Sequence, residues 1–169
     1  MGLDSYLREH TSITPDYGLP IEQWDDRAKA IADNIGIEHL KGKVIKSIVT
    51  EAAYWRKANQ IHNWFVQNVQ DGLDECQSAW VSPDQLKELH DLCVKLTDML
   101  EKDERKAKET AMTLLPPSQG FFFGSDEIGE WYWEDLQNTI TQLEPVLENI
   151  EMDGKEKGCY TDYYYQSSW

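Results

Sequence analysis

The sequence predicts an α+β fold in which three or four helices pack on a small antiparallel sheet formed by the N- and C-terminal strands. Three observations predict it. Residues 3–13 alternate loosely in polarity and stop at a Thr14-Pro15-Asp16-Tyr17-Gly18 turn cluster. The end of the chain, Cys159–Trp169, is aromatic and strand-forming rather than tail-like. Between these ends, apolar residues recur at three- and four-residue spacing in stretches closed by glycine or proline. At 169 residues the chain suits one domain, 1–169, with a real hydrophobic core.

In order, Leu3, Ser5, Leu7 and Glu9 alternate with Tyr6, Arg8 and His10 in a short strand closed by Pro15 and Gly18. Pro20 leads into Ile21–Ile35, where Trp24, Ala28, Ile31 and Ile35 fit a short amphipathic helix ended by Gly36. Lys43–Thr50 is β-branched and reads as a strand feeding a central helix. That helix is placed over Tyr54–Val66, with Tyr54, Ala58, Ile61, Phe65 and Val69 as one apolar stripe and Trp55, His62 and Val66 flanking it. It should stop near Gln70-Asp71-Gly72, where the glycine offers a C-terminal cap.

Ser82-Pro83-Asp84-Gln85 carries the strongest local signal: a capping serine, proline at the first helical position, an acid for the dipole and glutamine three residues on. Leu86, Leu89, Cys93, Leu96 and Leu100 form the buried stripe of the helix that follows, and nothing breaks it before Pro116-Pro117. The run Gly120-Phe121-Phe122-Phe123-Gly124 is either a buried connector or a place where one ring faces a groove or a partner. A last long helix begins at Ser125, with Trp133, Leu136, Ile140, Leu143 and Leu147 on one face and a kink expected at Pro145. The tail after Gly154 and Gly158 should pair with the N-terminal strand. Tyr164 then points opposite to Tyr163 and Tyr165; one set packs on the central helix near Trp55 or Phe65, and the other faces solvent, a ligand or a second subunit of a homo-oligomer.

Sixteen basic against thirty-one acidic residues give a net charge of −15. Phosphate backbones repel such a chain, which argues against direct nucleic-acid binding. What remains is a solvated acidic surface or one that imitates nucleic acid toward a basic protein. Between Lys108 and Lys155 there is no cation and there are ten acids, among them Glu130, Glu134 and Glu148. Cys76, Cys93 and Cys159 are scattered, which favours reduced thiols over a disulfide framework or a zinc site. Neither a signal peptide nor a membrane span is recognisable, and no cofactor or metal is expected.

No GxGxxG, P-loop, HExxH or GxSxG is present, so no catalytic residue is assigned. An enzyme would have to use His62 with a carboxylate brought from elsewhere. Binding chemistry is better represented. Trp55 offers a stacking face, Arg56 or Lys57 would neutralise an anion, and Asn59 with His62 would hydrogen-bond a polar ring. Phe122, Tyr164 and Trp169 add flat faces, and Lys41, Lys43 and Lys46 extend the local basic patch. The alternative is that Trp55 and His62 are packing residues. A small, charged, ring-bearing ligand fits the first reading, and a nucleotide is the natural candidate.

Tyr54-Trp55-Arg56-Lys57-Ala58-Asn59 with Ile61-His62 and Trp64-Phe65-Val66, then Asn68–Gly72, Gly120–Ser125, Tyr132–Leu136 and the closing Tyr164-Tyr165-Gln166-Ser167-Ser168-Trp169, together with Met1–Asp4, resemble a family of small, largely uncharacterised bacteriophage and prophage proteins. The resemblance covers the N-terminus and roughly residues 50–169. It brings no catalytic residues. It implies a phage accessory protein in the host bacterial cytoplasm, of a kind that often inhibits host defence. Two inhibitor types suit the chain: a sponge for a nucleotide immune signal, or an acidic decoy that occupies a host defence protein.

Overall fold

A computed structural model describes residues 2–13, 47–120, 123–152 and 159–169. The helix expected over Ile21–Ile35, the start of the strand at Lys43, Lys41 and Phe122 lie outside the described residues.

Among the described residues four strands form one antiparallel sheet: β1 (Asp4–Ile13), β2 (Ser47–Arg56), β3 (Ala79–Val81) and β4 (Cys159–Ser168), in the order β2-β1-β4-β3. The terminal strands pair as the alternation predicts. β1 and β4 run in unbroken register from Asp4 opposite Ser168 to Ile13 opposite Cys159, whereas the β1–β2 register shifts between Leu7 and Arg8. Side chains alternate across the pleat, so Leu7, Tyr163 and Tyr165 are buried on one face while Tyr6, Arg8 and Tyr164 lie half-buried on the other. On that outer face the Arg8 guanidinium sits 5.4 Å from the Tyr6 ring centroid and donates to Gln166. β3 is only three residues long, too short to be recognised by periodicity.

The helices α1 (Asn59–Val69), α2 (Pro83–Lys102), α3 (Glu104–Leu114) and α4 (Glu130–Met152) complete an α+β fold among the described residues. One core joins Leu7, Trp55 and Tyr165 of the sheet to Ile61 and Phe65 of α1, Leu86, Leu89 and Leu96 of α2, and Leu136 and Leu143 of α4. Tyr165 stacks on Phe65 at 4.0 Å and 8°, which places the tail's inward set on the central helix as expected.

Three boundaries differ from the sequence reading. Tyr54–Arg56 belongs to β2, not to the helix: Tyr54 pairs with Tyr6 and Trp55 with Ser5. Local spacing suited a helix, but pairing with β1 satisfies the backbone and decides the outcome. Lys57 then turns the chain at φ +61°, and α1 keeps only the Ala58, Ile61, Phe65 and Val69 part of the stripe. The expected continuous helix to residue 114 is broken at Asp103, whose extended backbone (φ −158°, ψ 95°) ends α2 while its carboxylate accepts from Lys106 N–H and caps α3. The last helix begins at Glu130 rather than Ser125, and Pro145 lies within it without ending it. The capping box at Ser82 forms as predicted, with Gln85 N–H donating to Ser82 Oγ and Ser82 N–H donating to the Gln85 side chain. No described helix is long and apolar enough to cross a membrane.

Candidate functional site

The end of β2 is tied to α4 by side chains that follow a helical period. Gln142 accepts from Tyr54 N–H at 2.8 Å and donates to Tyr54 C=O at 3.0 Å, so its amide pairs with the backbone of β2 as a peptide group would. Thr139, three residues earlier, accepts from Trp55 Nε1 at 2.9 Å. Asp135, one further turn back, accepts from Gln60 Nε2 at 3.0 Å. Trp131 occupies the next turn of the same stripe and is 75% exposed.

Between that stripe, the β2–α1 turn and the 124–127 loop lies a cavity of about 440 Å³, within the size range of small-ligand sites. Arg56 and Lys57 supply cations, Trp131 an open indole, Gln60 and Asp135 polar groups; Gly124, Ser125, Glu127 and Tyr132 complete the lining. A depression of similar volume beside Asp91, Lys95 and Lys102 is lined by α2 alone and encloses nothing.

Two left-handed residues meet at this turn. Gly124 has φ +92°, and a Cβ added there would lie 3.2 Å from the Lys57 carbonyl oxygen and Cβ, so only glycine passes comfortably. Lys57 holds φ +61° with a side chain, a conformation that costs about 1–2 kcal/mol for most L-residues. A lysine kept where glycine would be less strained is a reason to look for work done by its charge.

Burial pushes the Asp135 carboxyl up from an ordinary 3.8 to about 6, with neighbouring Glu134 adding to the rise and the Gln60 hydrogen bond opposing it. Because the folded-state value lies above the unfolded one, the stability linked to this group is fully present below about pH 3.8 and is lost as pH rises through about 6. Asp135→Asn is therefore expected to raise the melting temperature at pH 8, by the equivalent of on the order of 1 kcal/mol after allowance for solvent access, and to change little at pH 4. Thermal melts of both proteins at the two pH values check this; a variant less stable at pH 8 would count against it.

Comparison with protein families, with curated proteins and with solved structures finds no match.

Of the residues singled out in the sequence, Arg56 and Lys57 are exposed and line the cavity. Trp55 is 1% exposed, and its ring packs 5.7 Å from Phe65 in the core. Asn59 donates to the carbonyls of Phe123 (3.0 Å) and Ser125 (2.7 Å) and accepts from Ser118 N–H (3.1 Å), so it clamps the 118–125 connector in place. His62, also 1% exposed, sits with Nδ1 2.7 Å from the Tyr165 hydroxyl and Nε2 3.0 Å from Asp74 Oδ2. Trp169 donates to Asp74 Oδ1 at 3.0 Å and meets Phe123 edge-on, and Phe123 in turn meets His62 edge-on at 5.2 Å. Tyr164 lies on the far face of the sheet, 4.6 Å from the His10 ring. These residues therefore divide between the cavity, the core and connector contacts that run from buried His62 to exposed Trp169, and the outer sheet.

Gln60 and Trp131 carry no sequence signal of a site, and Asp135, paired with Glu134, reads from the sequence as part of a solvated acidic helix face. The available signal is the helical spacing of Trp131, Asp135, Thr139 and Gln142 on α4, on a different face from the apolar stripe of the same helix.

Proposed function

We propose that this chain binds and sequesters a small anionic nucleotide without transforming it. The observation that carries the reading is the conjunction in one cavity of two cations, Arg56 and Lys57, with the open indole of Trp131. Phosphate needs the first and a base stacks on the second. The further part of the proposal, a phage protein that blunts a nucleotide immune signal in the host cytoplasm, draws on the resemblance of the 54–66, 120–125 and 164–169 motifs. His62 is spent on Tyr165 and Asp74 in the interior, which supports binding over catalysis.

Calorimetry against cyclic nucleotides, mononucleotides and cyclic ADP-ribose isomers tests the reading. Arg56→Ala is expected to weaken the bound nucleotide about tenfold or more, the scale of one charge-assisted contact, with an unchanged melting temperature. Absence of binding to every nucleotide in the panel would end this proposal.

A second reading has its own observation. Glu130, Glu134, Glu144, Glu148 and Glu151 are all exposed along α4, an acidic surface suited to occupying a basic host protein. On that reading, changing Glu130, Glu134 and Glu148 together to glutamine releases a stoichiometric partner captured from bacterial lysate, and salt does the same. Capture that is indifferent to both would exclude it.

A further inference from the structure

Asp135 is an unusual lining residue for a site that takes an anion. Its ionised form is disfavoured by burial, its neighbours Glu127 and Glu134 are also acidic, and among the described residues Arg56 and Lys57 are the only cations that line the same cavity. A neutral side chain would serve the fold better at this point, so the carboxylate calls for a ligand group that uses it.

The placement says which group. Trp131 and Asp135 are one turn apart on the same face of α4, the spacing that puts side chains about 5–6 Å from each other at Cβ. A ring lying on the Trp131 indole therefore presents its edge to the carboxylate. Gln60 Nε2 orients that carboxylate by donating to Oδ2 at 3.0 Å, and no other described residue donates to it. A carboxylate has only acceptors to offer, and two of them side by side. Among the common bases, guanine alone carries two adjacent donors, N1–H and the N2 amino group, on one edge. Adenine and cytosine turn a ring-nitrogen lone pair to the same place, and uracil flanks its single N–H with carbonyl oxygens, so each brings repulsion with it.

We propose that Asp135 sets the base preference of this pocket and that its ligand class is a guanine nucleotide. This rests on the nucleotide-binding reading above and goes beyond it by fixing the base. Arg56 and Lys57 take the phosphate, Trp131 takes the ring face, and Asp135 with Gln60 behind it reads the edge.

The test is calorimetry of the full chain at pH 7.5 with guanosine, inosine and adenosine monophosphates, followed by the same titrations of Asp135→Asn. The expected order is guanosine first, adenosine about ten- to hundredfold weaker and inosine between them, since a hydrogen bond to a charged group is worth that much. Inosine lacks only the N2 amino group and so probes the contact without altering the protein. Asp135→Asn, whose folding is checked by its melt, should lose the guanosine preference while still binding phosphate and ring. Equal affinity of the wild-type chain for guanosine and adenosine monophosphates, or a preference that survives Asp135→Asn, overturns the guanine inference and leaves nucleotide binding standing. No binding of any of the three, with binding in the wider panel only of nucleotides that carry no guanine, also overturns it; silence across the whole panel removes both.

Discussion

Tyr165→Ala is expected to destabilise the chain by about 3–5 kcal/mol, the range for removing a fully buried aromatic. The Tyr165 ring is 0% exposed and stacks on Phe65, so its loss opens a cavity where β4 meets α1. The hydroxyl adds a separate effect. It donates to Ser5 Oγ at 3.0 Å and lies 2.7 Å from His62 Nδ1, which links the two terminal strands to the central helix. Burial holds the hydroxyl well above the usual tyrosine range, so it stays a neutral partner. Tyr165→Phe keeps the ring and strands the polar atoms of Ser5 and His62, at an expected cost of about 1–3 kcal/mol. Urea denaturation followed by circular dichroism separates the two variants. Equal costs for Phe and Ala would mean that the hydrogen-bond chain, not the stack, holds the tail.

Two tryptophan substitutions should behave oppositely. Trp55→Ala removes a ring that is 1% exposed and deprives Thr139 of its indole donor, and is expected to cost about 3–5 kcal/mol. Trp131→Ala removes a ring that is 75% exposed and should move stability by about 0.5 kcal/mol or less. Nucleotide affinity should fall about tenfold or more in Trp131→Ala, because base stacking on an aromatic side chain is worth roughly 1–3 kcal/mol. Melts and calorimetry on the two variants give both readouts. Wild-type affinity in Trp131→Ala would remove the stacking platform from the proposed site, and a wild-type melt of Trp55→Ala would be incompatible with its place in the core.

The same contrast shows where sequence reasoning reaches its limit. A tryptophan beside arginine and lysine reads as a binding residue, yet period-3.6 and period-2 patterns both fit Tyr54–Ala58, and only pairing with β1 turns Trp55 inward. Asp103 is a good capping residue, but with apolar spacing continuing on both sides, nothing local says that the chain bends there. Arg56 and Lys57 were readable because charge declares itself in the residue type. The Gln60–Asp135 contact was not, because it spans 75 positions and depends on how α4 is laid against α1.

What the sequence determined by itself were the properties carried by short-range chemistry: the alternation that pairs the termini, the capping box at Ser82, the end of α1 near Gln70 and the acidic balance of −15. What only the tertiary structure decided was which polar and aromatic groups are consumed by the fold and which are left over. Asn59 and His62 have the residue types of a binding site, but loop carbonyls and a buried tyrosine claim their hydrogen bonds. Trp131 and Asp135 have the residue types of an ordinary helix and remain open at its first turns. Burial is a property of the assembled surface, set by long-range packing, and residue type alone does not encode it.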